Sequence, residues 1–233
     1  MARGLADFIV AESDRLILGV LGGARTTGIF SVAKEVSTLP SSEIVLPICR
    51  ALTPTLSTIA GDPARLSAAI GKSLSGTMLI AAPVALGFAL ISNEFVTLLF
   101  GPKWTESIPI LSILCIGGIA YAFREIAANA LVITGNIRTT VMLSWANASV
   151  LILLFYPAYK LFNLTGIAWL IVISAFVTAS AYALTLSKLN IASDKSLISG
   201  LLRPITSAAL MYFITNYIFH HIDYFNPAIN LGL

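Results

Sequence analysis

Five stretches of the chain run for most of a membrane's thickness without an Asp, Glu, Lys or Arg: residues 73–93, 107–123, 139–159, 161–187 and 204–222. A helix crosses the hydrocarbon core with about 20 predominantly apolar residues. Inside that core every backbone amide needs a partner within the protein, and a helix supplies one turn by turn. Composition agrees. Of 233 residues, 57% are hydrophobic and 11% charged, where soluble domains carry roughly 25% charged residues. Mean hydropathy is +0.90. One soluble core of this size cannot hide so much apolar surface. The chain reads as an all-α, polytopic transmembrane helix bundle, which excludes soluble enzymes, nucleic-acid modules and disordered regulators. The net charge of +3 is small and reads as loop charge.

Two weaker apolar stretches come first. Residues 5–21 carry Asp7, Glu12, Asp14 and Arg15, and residues 27–59 carry Lys34, Glu35, Glu43 and Arg50. Polar groups inside a span are tolerated where they face a bundle interior or a wet cavity. The sequence therefore predicts about seven spans in one domain, near residues 5–22, 27–59, 70–93, 107–134, 139–160, 166–188 and 198–220. Turn signals separate them, among them Gly22-Gly23, Gly61-Asp62-Pro63, Gly101-Pro102 and Gly135-Asn136. The early charges also argue against a cleaved signal peptide. One set of loops collects Arg3, Arg65, Lys72, Arg138, Lys188, Lys195 and Arg203; the other collects Arg25, Lys103 and Lys160. The cationic side faces the cytoplasm, which predicts an inside N-terminus and an outside C-terminus.

Polar residues inside the spans carry the functional expectation. Pro40, Pro47 and Pro54 recur every seven residues, near one helix face. Each removes a backbone hydrogen bond, and the freed carbonyls need water or polar neighbours. A curved structural helix and a cavity-lining helix both fit that pattern. A charge at mid-depth costs at least ~2.5–3.5 kcal/mol on insertion scales. Adjacent helical residues diverge by about 100°, so Asp14 and Arg15 need separate partners on other helices. Lys34 or Arg124 suits Asp14; Glu43 or Glu125 suits Arg15. Either these groups neutralise each other, or they line an aqueous path. Arg124 and Glu125 interrupt the fourth apolar stretch, and Asn129 shares a face with Glu125.

Other features carry less. Cys49 and Cys115 sit in apolar stretches as small hydrophobes, without disulfide or metal spacing. His220, His221 and Asp223 read as a tail, and no metal or cofactor is expected. Asn147-Ala-Ser149 and Asn163-Leu-Thr165 match a glycosylation pattern as chance does. Trp104, Tyr156, Tyr159, Tyr212 and Tyr217 suit an interfacial aromatic belt. No HExxH, phosphate-cradling glycine loop or Ser/His/Asp set appears, so the chain does not read as an enzyme.

Several segments in order resemble one family. Ser13-Asp14-Arg15-Leu16-Ile17-Leu18-Gly19 with Thr27-Gly28-Ile29-Phe30-Ser31-Val32-Ala33 is similar to a D-x-hydrophobic-hydrophobic-G … G-x-Y-x-x-A pattern, with Phe30 in place of the usual Tyr. Arg50-Ala51-Leu52-Thr53-Pro54-Thr55-Leu56-Ser57 resembles R-x-x-x-P-x-L-S, and Leu98 to Trp104 resembles an L-F-G-x-x-W turn. Leu131 to Asn136 is similar to a small-residue turn before the next helix. These segments resemble the polysaccharide transporter family, the O-antigen and exopolysaccharide-unit flippases, of the multidrug/oligosaccharidyl-lipid/polysaccharide exporter superfamily. The resemblance implies the second of two helical lobes around a central cavity. It implies export of undecaprenyl-diphosphate-linked oligosaccharides across the bacterial cytoplasmic (inner) membrane, with a first-lobe chain or a second copy as partner.

On that resemblance, Arg15, Lys34, Arg50 and Arg124 are the expected substrate-binding cations, because guanidinium and ammonium groups suit a diphosphate. Asp14, Glu35, Glu43 and Glu125 are the expected ion-coupling carboxylates. The alternatives are a drug/cation antiporter of the same superfamily, or a non-transporting remnant or scaffold. A membrane enzyme acting on lipid-linked sugars usually needs a large external loop, and every loop here is short.

Overall fold

The computed structural model describes residues 2–225, excepting some side chains in residues 2–11 and 194–225 and that of Ser41. The side chains of Arg3, Asp7, Lys195, Arg203, His220, His221 and Asp223 lie outside what is described. Among the described residues the chain is helical, without a strand.

Helix α1 (Ala2–Pro40) is two arms joined at Gly23, whose φ of 75° and ψ of −179° are open to glycine alone without strain. A widened π turn (Ser41–Val45) follows, then α2 (Leu46–Thr58) with Pro47 in its first turn and Pro54 inside. The stretch at 27–59, expected as one bent helix, is thus interrupted. A turn closed by i→i+5 bonds absorbs an extra residue, so Pro40 and Pro47 do not share one face.

Asp62 caps α3 (Pro63–Leu90), accepting from the amides of Ala64 and Arg65 at 3.1 Å each. A short α4 (Ser92–Leu99) and a 3-10 turn (Pro102–Ser107) lead into α5 (Ile108–Ile133). Helix α6 (Ile137–Lys188) is again two arms, broken at Phe162 and Asn163, the latter at φ 52°. The arms run antiparallel: Thr178 Oγ1 donates to Asn147 Oδ1 at 2.9 Å, and Tyr182 Oη donates to the Thr140 carbonyl at 3.3 Å. They close tightly at the bend, where a Cβ on Gly166 would lie 2.5 Å from the Ala158 carbonyl oxygen. Helix α7 (Asp194–Phe225) packs along α3.

The loops gather at two ends. At one, the Ser193 amide donates to Ser67 Oγ at 3.0 Å, and a core of Leu56, Leu66, Leu131, Leu186 and Ile191 lies beneath. At the other, Arg25 pairs with Glu106 at 2.7 Å over a core of Phe30, Val96, Ile110, Phe155 and Ile167. Phe30 is buried there among apolar side chains, so no hydroxyl is called for at that position.

Among the described residues, four helical segments are long and apolar enough to cross a membrane: Glu12–Thr58, Pro63–Leu90, Pro102–Ile133 and Ile137–Lys188. The first and last are far longer than a bilayer and fold back on themselves, each holding two of the expected stretches. Among its described residues, helix α7 holds a shorter apolar stretch, Pro204–Thr215. The described residues thus hold four such segments against the seven expected spans. The protein is a multi-pass membrane protein.

Candidate functional site: a charged helical hairpin

The bend at Gly23 lays the second arm of α1 back along the first, setting residue 14 beside residue 34 and residue 15 beside residue 35. Lys34 Nζ pairs with Asp14 Oδ2. Asp14 is 1% exposed, among the most buried polar groups described; its other oxygen accepts from the Arg15 amide at 2.8 Å. One residue along, and turned away as adjacent helical residues must be, Arg15 reaches Glu35 at 3.4 Å and Glu12 at 3.7 Å. These side chains are open: Arg15 is 46% and Glu35 73% exposed. The pairing of Asp14 with Lys34 was one of the expected options. The partners expected for Arg15, Glu43 or Glu125, are corrected to Glu35 and Glu12. The cause is the hairpin register, which brings Glu35 across from Arg15.

A second polar group lies on α5. Arg124 Nη2 donates to Glu125 Oε1 at 3.1 Å, so the described partner of each is its chain neighbour and not the expected Asp14 or Arg15. The guanidinium lies over the Tyr121 ring, 4.7 Å from its centroid. Its Nε is buried without a hydrogen bond. Tyr121 was not singled out in the sequence, although it stands three residues before Arg124, the spacing at which helical side chains meet. Four residues beyond Glu125, Asn129 Nδ2 donates to the Cys49 carbonyl at 3.2 Å and to Thr53 Oγ1 at 2.9 Å. Asn129 thereby ties α5 to the turn of α2 that Pro54 disrupts. Glu43 is exposed in the π turn and accepts from Ser42 Oγ at 3.3 Å. Arg50 is exposed in α2, with no ion-pair or hydrogen-bond partner given among the described residues.

The expected residues thus fall into three settings. Asp14, Arg15, Lys34 and Glu35 form one network across the hairpin. Arg124 and Glu125 pair with each other on α5, largely buried. Glu43 and Arg50 stand open on the continuation of the hairpin's second arm.

Residues 1–109, which hold the whole charged hairpin, match the polysaccharide biosynthesis protein family. The relatives agree. The chain is 32% identical over 118 residues to the lipopolysaccharide biosynthesis protein WzxC of Escherichia coli, covering 51% of this chain and 24% of that protein. It is 24% identical over 179 residues to the teichuronic acid biosynthesis protein TuaB of Bacillus subtilis, covering 76% of this chain and 37% of that protein. Along 228 residues it is 23% identical to the succinoglycan biosynthesis transport protein ExoT of Rhizobium meliloti, covering 95% of this chain and 45% of that protein. The chain spans from about a quarter to just under half of the length of these curated relatives. The polysaccharide-export family is the one whose segments the sequence resembles.

Proposed function

We propose that the chain takes part in flipping lipid-linked oligosaccharide units across the bacterial cytoplasmic membrane for polysaccharide biosynthesis, as one lobe of a two-lobe transporter. The observation that carries this reading is the charged α1 hairpin, with Arg15 and Glu35 open beside the buried Asp14–Lys34 pair. A lipid-linked sugar leaves its apolar tail in the bilayer while its diphosphate and glycan follow a polar face. Arg15, Lys34, Arg50 and Arg124 meet the diphosphate, the arginines with a bidentate fork. Asp14, Glu35, Glu43 and Glu125 balance those cations and couple the cycle to an ion gradient. The second lobe is a separate first-lobe chain or a second copy of this one, and the two rock about the shared polar face. The cation-rich loop end faces the cytoplasm, with the N-terminus inside and the C-terminus outside.

The test is flipping of a fluorescent undecaprenyl-diphosphate-linked oligosaccharide in proteoliposomes, with the chain alone and with its partner lobe. Arg50→Ala removes an open cation that supports no described contact. Flipping by the assembled transporter is expected to fall about tenfold, the worth of one charge-assisted phosphate contact, with unchanged membrane abundance. Parallel loss of abundance and flipping would assign Arg50 to the scaffold. A strictly monomeric chain that flips would overturn the two-lobe assembly.

A further inference from the structure

The segment between α3 and α5 has no part in that reading, and its surface is unusual. Helix α3 has 28 residues and reaches about 42 Å, beyond the ~30 Å hydrocarbon core. Helix α4 therefore begins at one end of the bundle, and its eight residues reach only about 12 Å. One side of it is fixed to protein. Ser92 and Val96 are buried, Ser92 Oγ lies 2.6 Å from Ser112 Oγ of α5, and the Phe95 ring meets Phe88 at 5.3 Å. The other side is open, polar in its first turn at the exposed Asn93 and Glu94 and apolar toward its end. Leu98 is 85%, Leu99 63% and Phe100 40% exposed, and Ile91 before the helix is 41% exposed. The exposed Lys103 follows. Farther down α3, past a stretch that is buried or half-buried, Leu79 and Ile80 are also exposed, within an apolar segment long enough to cross a membrane.

We propose that α4 and the turn after it form an interfacial membrane anchor, a helix that lies in the bilayer's headgroup boundary. Its occupant is the lipid surface itself. Leu98, Leu99 and Phe100 enter the top of the acyl layer, and Lys103 extends toward the headgroups, as amphipathic interfacial helices arrange their two faces. Three consecutive exposed apolar side chains followed by a cation, at the end of the long helix α3, fit this depth. Water would leave them unpaired with anything apolar, and a crossing segment needs a greater length. The anchor also sets the depth of the charged hairpin. Trp104 packs against α1 at Gly28, where a Cβ would lie 3.7 Å from the indole, and Glu106 holds Arg25 at the hairpin bend.

The test reads depth directly. Single cysteines at Leu98 and Leu79, with Cys49→Ala and Cys115→Ala, carry an environment-sensitive fluorophore in vesicles of phosphatidylethanolamine and phosphatidylglycerol. Quenching is compared for nitroxides placed high or low on the lipid acyl chain and for aqueous iodide. At Leu98 the high nitroxide is expected to quench at least about twofold more than the low one, the depth range of an interfacial helix. At Leu79 the order reverses. Dominant iodide quenching at Leu98 would overturn the proposal by making the segment a water-exposed loop. Dominant low-nitroxide quenching would overturn it by placing the helix deep. Silence toward all quenchers would overturn it by showing protein cover.

Discussion

Helices α1 and α6 are both hairpins, each a long helix bent back at a residue with positive φ, Gly23 in one and Asn163 in the other. Their arms are joined by different chemistry. Across α6 the described ties are neutral: Asn147 with Thr178, and Tyr182 with the Thr140 carbonyl. Across α1 they are ionic: Lys34 with Asp14, and Arg15 with Glu35. The same protein thus builds one membrane hairpin without a charge between its arms, so joining two arms does not require ions. Buried ion pairs are also weak devices for stability, since apolar replacements of similar size often serve as well or better. The charges of α1 therefore call for an explanation beyond architecture, and the proposed passage of a charged cargo would supply one.

The comparison breaks most sharply at Lys34. Lys34→Met strands the buried Asp14 carboxylate, and loss of one partner of a buried pair costs about 3–5 kcal/mol. The expected result is a large fall in thermal stability in detergent. Replacing both members, Asp14→Val with Lys34→Met, makes α1 resemble α6 and is expected to recover most of that stability while transport by the assembled protein stays lost. If the double variant is as unstable as the single one, the pair is architectural and the two hairpins differ less than argued.

A smaller effect tests whether the bends are equivalent. Gly166→Val drives side-chain atoms into the Ala158 carbonyl, and overpacking costs about 1–3 kcal/mol. Gly23→Ala meets open space but an unfavourable backbone, at a similar cost of about 1–3 kcal/mol. Thermal melts of the two variants are expected to fall by comparable amounts for these different reasons. An unchanged melt for Gly23→Ala would show that the α1 bend relaxes to another conformation. The α1 hairpin would then be the adaptable one.

The contrast also shows what a sequence of this kind discloses. The helical class and the apolar stretches follow from uninterrupted hydrophobicity, and the expected turns at Gly22-Gly23, Gly61-Asp62-Pro63, Gly101-Pro102 and Gly135-Asn136 each mark a helix end or bend. Cross-helix pairing of Asp14 was legible because adjacent helical residues cannot share a partner. The partner of Arg15 was not read correctly, because it depends on where the chain reverses. The Gly22-Gly23 signal, used to set the hairpin register, would have pointed to Glu35. The π turn at Ser41–Val45 was hidden, because prolines every seven residues fit an unbroken helix equally well. The contact between Arg124 and Glu125 was missed for a simpler reason: a guanidinium on a long stem can fold back onto its chain neighbour.

The smallest expected effect decides what covers the open side of the charged hairpin. Arg15 and Glu35 are 46% and 73% exposed at 3.4 Å, so neither is enclosed by this chain. If that side faces water or a polar cargo, the pair is screened and contributes about 0–1 kcal/mol. Replacing both by leucine then changes stability within that range while flipping is lost. If the side faces lipid, each charge costs at least ~2.5–3.5 kcal/mol, and the double leucine variant gains stability and membrane abundance. Melting temperature and abundance of Arg15→Leu with Glu35→Leu, measured beside a transport assay, therefore separate the two surroundings. The polar reading expects an almost silent change in stability with a large one in transport. A marked stabilisation would place the hairpin against lipid and remove the ground for treating its charges as a path.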